Sequence, residues 1–253
     1  MTPEKLKELK FQVRRHMNGE VAQIMKGLDD AYKANYGISL QHAKDIAMAE
    51  DLSPDDCTEL WETGWRDLML VAAAAMRRHD PKAEVIVRWT MSVPTIEMAD
   101  ALPFLLTGYM TDIEKFVVDL HERDMGFDFA IICSTVARAL MARDDQRFYA
   151  AAPPQPSQLR DVWLESFAPV VTLAVALLNF AILRSEWSYA EARSISFLAR
   201  QWCRLQRYGC IFEYDVPGVM HKVMQVASQR PDPNAILVAR DIEDENAMVK
   251  SSL

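Results

Sequence analysis

The sequence predicts an all-α protein made of short helices in an array, and three observations carry that expectation. Only 8 glycines occur in 253 residues, and the chain is rich in Ala, Leu, Met and Arg; this is helix-forming material with few hairpin signals. Apolar residues recur at helical spacing in almost every segment. Connections are short and marked by capping residues or prolines, so ten-to-sixteen-residue helices follow one another in a rhythm in which no single pair buries its apolar face alone.

The first helix is expected to start with Thr2 as N-cap and Pro3 behind it, with Leu6, Leu9, Val13 and Met17 on one face and Asn18-Gly19 as its end. A second runs from about Glu20 to Tyr32, and Tyr36-Gly37 turns into a third capped by Ser39. Ser53-Pro54-Asp55-Asp56 joins a capping hydroxyl, a proline and two acids favoured by the helix dipole. Trp65 to Arg78 follows, then Lys82 to Met91 behind Asp80-Pro81. Ser92-Val93-Pro94 opens the next helix, which Pro103 is expected to kink. Further helices are expected at Asp112 to Arg123 and Gly126 to Arg143. The array thus occupies 1–150, a Pro-rich linker 151–157, further helical hairpins 158–229, and a loop with an acidic tail 230–253.

Ser166 to Leu183 contains no charged residue, yet it holds Pro169, Thr172 and Asn179 and is expected to be a buried central helix rather than a membrane span. The N-terminal residues show no secretory pattern, and Cys57, Cys133, Cys203 and Cys210 form no CxxC pair. The expectation is a cytoplasmic protein with free thiols and no membrane partner. No nucleotide-binding or hydrolase motif is present, and His16, His42, His79, His121 and His221 are too scattered for metal-ligand spacing, so neither metal nor cofactor is expected.

Two basic patches stand out against a net charge of −8. Arg193, Arg200, Arg204 and Arg207 fall at i, i+7, i+11 and i+14 of a helix from Ser188 to about Tyr208, opposite Ile195, Leu198, Trp202 and Leu205. Arginine suits bidentate phosphate contact. Lys7, Lys10 and Arg14 form a second, shorter stripe on the first helix. Trp61 and Trp65, four residues apart, are expected to pack between neighbouring helices.

The stretch Asn35-Tyr-Gly-Ile-Ser-Leu-Gln-His-Ala-Lys-Asp-Ile-Ala47, continued by Leu60-Trp-Glu-Thr-Gly-Trp-Arg-Asp-Leu-Met-Leu-Val-Ala-Ala73, resembles the opening repeats of the HEAT-like DNA alkylation repair family, alkylpurine DNA glycosylases built as curved helical solenoids. The resemblance covers roughly Lys5 to Arg143. It implies a HEAT-like solenoid whose concave face binds double-stranded DNA with alkylated bases. Within Trp89-Thr-Met-Ser-Val-Pro-Thr-Ile-Glu-Met-Ala-Asp100 it implies that Asp100 is the acid supporting glycosidic bond cleavage, with Glu97 on the preceding acid. Ile96 stands where the family has tryptophan, and Phe127 to Ala130 lacks the family's arginine, so the chemistry is expected to be reduced or lost. A non-catalytic HEAT-like scaffold for protein or peptide partners is the alternative, and the acidic balance favours it.

Overall fold

The computed structural model describes residues 1–28, 31–148, 168–204, 216–230 and 232–252. They are helical almost throughout and form no strand beyond one isolated parallel bridge, Ala34 to Trp65. Backbone proximity divides the chain into two compact units, Met1–Asp112 and Ile113–Leu253. The Pro-rich segment 151–157 lies outside the described residues.

The first unit holds α1 (Pro3–Arg15), α2 (Gly19–Leu28), α3 (Leu40–Ala49), α4 (Pro54–Glu62), α5 (Arg66–Met76), α6 (Ala83–Thr90) and α7 (Ile96–Leu105). Its caps follow the sequence closely: Thr2 accepts from Lys5 N at 3.2 Å and Ser39 from His42 N at 3.1 Å. Ser53 and Asp56 close a capping box, each side chain accepting from the other's N–H at 3.1 Å. α5 is buried on nearly every side and packs against α1, α3, α4 and α7. Its alanines, Ala72, Ala73 and Ala75, let those helices approach closely.

Three expectations need correction here. The second helix stops at Leu28, and residues 31–38 run as an irregular strap, bent at Tyr32 and Lys33, instead. Asp80 does not cap α6: it lies in the left-handed region at φ 42°, and its carboxylate accepts from Thr111 N at 3.0 Å. The cap of α7 is Thr95, which accepts from Met98 N at 3.2 Å, rather than Ser92. Pro103 sits near the C-terminal end of α7, which stops at Leu105.

The second unit holds α8 (Ile113–His121), α9 (Asp128–Phe148), α10 (Ala168–Leu183), α11 (Tyr189–Arg204), α12 (Val216–Gln229) and α13 (Pro233–Ser252). Here α11 is central, packed by α9, α10, α12 and α13, with Trp202 fully buried. α10 buries Val170, Val171, Ala174, Leu177, Leu178 and Ala181, and no described helix is long and apolar enough to cross a membrane. The expected loop and acidic tail at 230–253 is instead the helix α13. Asp232 caps it by accepting from Ala235 N at 2.8 Å, and Ala235, Val238, Ile242, Glu245 and Val249 line its buried face. Glu243 and Asp244 lie on the solvent side of this amphipathic helix, while Asp241 is half-buried and accepts from the Ser196 hydroxyl of α11, a pattern that a count of charges conceals.

Candidate nucleic-acid interface

α1 buries Leu9 and Val13 completely, which turns Lys7, Lys10 and Arg14 along its outer flank. Lys7 and Arg14 are exposed and Lys10 half-buried, and no carboxylate pairs with any of the three among the described residues. Two of them rest on aromatic rings. The Lys10 ammonium lies 4.3 Å from the centre of the Trp65 ring, and the Arg14 guanidinium lies 5.6 Å from that of Tyr36. Arg14 Nε also donates to the Tyr36 hydroxyl at 3.2 Å. The two rings are 5.7 Å apart and inclined at 45°. A shallow groove of about 380 Å³ runs along the same flank, lined by Pro3, Leu6, Lys7, Lys10, Phe11 and Arg14.

The strap 31–38 explains why Tyr36 and Trp65 meet. Lys33 N donates to Gly64 O and Arg66 N to Ala34 O, both at 2.9 Å, which ties the strap to the turn before α5. The fully buried Asp67 carboxylate accepts from Tyr36 N at 2.6 Å and Ile38 N at 3.0 Å. Between them Gly37 adopts φ 71°, and a Cβ there would lie 2.8 Å from Ala22 N, so the position requires glycine.

Arg66 locks the arrangement from below. Its Nη1 donates to Ile38 O at 3.0 Å and to Asp67 at 3.1 Å, while Nη2 and Nε grip the Glu97 carboxylate at 2.8 and 3.3 Å. Tyr32 adds a hydroxyl to Glu97 at 2.9 Å and shares a 2.7 Å hydrogen bond with Thr95. Burial, and then the Glu97 charge, hold the Tyr32 hydroxyl proton above the ordinary tyrosine range.

Other expected site residues are placed as follows. Asp100 is half-buried on α7, one turn beyond Glu97, whose carboxylate is already engaged by Arg66 and Tyr32. Ile96 is the first residue of that helix. On α11, Arg193 is exposed with its guanidinium 5.7 Å from the Tyr189 ring, and Arg200 is half-buried. Arg204 is gripped by the buried Glu245 of α13 at 2.7 and 3.2 Å, so its charge is largely neutralised. Arg207 lies outside the described residues. The α1 cations belong to the first unit and the α11 arginines to the second.

The tryptophan pair divides. Trp61 is buried, stacked on Trp89 at 4.5 Å and 12°, and donates to Ser92 Oγ at 2.8 Å. Trp65 instead is half-exposed beneath Lys10, a departure from the interhelical packing expected of it. Tyr36 carries no signal of its own in the sequence beyond its place in a turn. The available signal is the dipeptide Arg66-Asp67 following a Gly64 turn, two charges that open an otherwise apolar helix and need buried partners. Cys57, Cys133 and Cys203 are free and buried; burial pushes the first thiol up to about 11 and the third to about 12. No group of His, Cys, Asp and Glu suited to a metal occurs among the described residues.

The fold therefore defines an all-α protein with a compact cationic and aromatic surface on its N-terminal unit. No family model, curated protein or solved structure matches the chain.

Proposed function

We propose that this chain is a divergent member of the HEAT-like DNA alkylation repair group that binds duplex DNA, with excision of alkylated purines reduced or lost. The observation that carries the binding reading is the α1 flank, where Lys7, Lys10 and Arg14 pair with no acid among the described residues and the last two are held in place over Trp65 and Tyr36. Over seven residues the three charges span about 10 Å of helix, enough to meet successive phosphates of one strand. Residual excision would fall to Asp100, whose carboxylate would stabilise positive charge developing on the sugar. Ile96 offers no aromatic face to a cationic base.

Fluorescence anisotropy with a duplex carrying an alkylated purine, across a salt series, tests the binding. Lys10→Ala with Arg14→Ala should weaken affinity and reduce the salt slope by about one unit for each phosphate no longer neutralised. Free-base release measured alongside should be slow or absent, and any activity found should disappear in Asp100→Asn while binding persists. Absence of duplex binding by the parent at low salt would leave the second reading, a scaffold for a protein or peptide. That reading is favoured by α2, which leaves Val21 and Ile24 exposed beside an exposed Met17.

A further inference from the structure

Phe11 projects from α1 into solvent, 57% exposed, and lines the same shallow groove of about 380 Å³ as Lys7, Lys10 and Arg14. Single exposed apolar residues are common, but this one is set among cations that pair with no acid among the described residues. Trp65 and Tyr36 already carry the Lys10 and Arg14 cations, whereas the Phe11 ring meets no cation and no other ring among the described residues. Lys7 stands one turn, about 6 Å, before Phe11 along the helix axis, and Arg14 stands about 4.5 Å after it. Glu4 and Glu8, also exposed, lie beyond Phe11 and do not line the groove. Their charge confines an anionic strand to the lysine side of the ring.

We propose that the groove along α1 takes a single-stranded segment of nucleic acid, with one base stacked on the Phe11 ring. This rests on the nucleic-acid reading of the α1 flank and adds to it a preference for unpaired bases over a fully paired duplex. A sequence-tolerant single-strand site needs a cationic track for phosphates and an aromatic ring for base faces, and both occur on this one flank. A base seated on Phe11 brings its two neighbouring phosphates towards Lys7 on one side and Arg14 on the other. In a duplex each base face is covered by its neighbours, so the ring gains nothing there while the cations still meet phosphates. Resting on Trp65 and Tyr36, Lys10 and Arg14 have little side-chain freedom left to lose on binding. An acidic peptide would meet the cations as well, but the open ring between them favours a base, whose flat face covers it.

Fluorescence anisotropy of the full chain with a labelled oligothymidylate and with a blunt duplex of equal length, across a salt series, tests it. The parent should bind the single strand more tightly. Phe11→Ala should weaken single-strand affinity about tenfold, as removal of one stacking ring does, and leave duplex affinity unchanged. Its salt slope should match the parent's, because no phosphate contact is lost. Phe11→Trp should bind the single strand at least as tightly as the parent, and both variants should melt with the parent because the ring is largely in solvent. Tighter duplex binding by the parent, or a loss in Phe11→Ala that is absent or equal for the two probes, would overturn the proposal and leave the α1 reading standing. Binding of neither probe would overturn both, and binding of labelled oligoglutamate in their place would assign the flank to an acidic protein segment.

Discussion

Arg66 ties together the strap 31–38, α5 and α7 of the first unit. It is almost fully buried and neutralises the wholly buried Asp67 while holding Glu97 at the start of α7. Two carboxylates would lose their charged partner and the Ile38 carbonyl its guanidinium donor in Arg66→Leu, and breaking a buried pair from one side costs about 3–5 kcal/mol. Denaturant unfolding should register a loss of that order; a change below about 1 kcal/mol would show that water replaces the guanidinium. Duplex binding should weaken in the same variant under conditions where it remains folded, because Tyr36 and Trp65 are held by the strap that Arg66 secures. The charges of this cluster are plain in the sequence, but their pairing is not. Arg66 and Glu97 are 31 positions apart, and no local pattern reports which acid a buried arginine meets.

Among the elements, α4 shows how directly a cap can be read. Ser53, Pro54 and Asp56 specify its start, and the observed reciprocal hydrogen bonds are those the residues predict. Burial alone would raise the Asp56 carboxyl, but hydrogen bonds from the Ser53 N–H and the Met1 amino group outweigh it and hold the group down to about 2. A carboxylate depressed in the folded state stabilises the protein above its unfolded value, about 3.9, and that contribution is lost as pH falls from about 4 towards 2. The acid limb of a stability-versus-pH curve should therefore be shallower in Asp56→Asn than in the parent. Superimposable acid limbs would remove Asp56 from the linkage. α13 is the converse case, since its dense acids read as a tail. The buried positions Val238, Ile242, Glu245 and Val249 matter only once α11 is present to cover them.

For the molecule as a whole, that dependence on α11 gives a direct test: truncation after Asp232 should expose α11 along the flank that α13 covers and leave Arg204 without Glu245. Circular dichroism should then show loss of helix well beyond the twenty residues of α13, because the second unit packs around one central helix. Loss confined to those residues would mean that the unit is stable without them. The sequence by itself determined the helical class, most helix starts and the residues that bear charge on α1, because caps, prolines and apolar spacing act within a few positions. Only the tertiary structure decided that Trp61 goes inside and Trp65 towards the surface, that Arg204 is spent on Glu245 while Arg200 meets no acid among the described residues, and that the units divide at 112/113. Those outcomes depend on which distant side chain occupies the space beside each residue, and burial converts that accident of position into the difference between a paired charge and an available one.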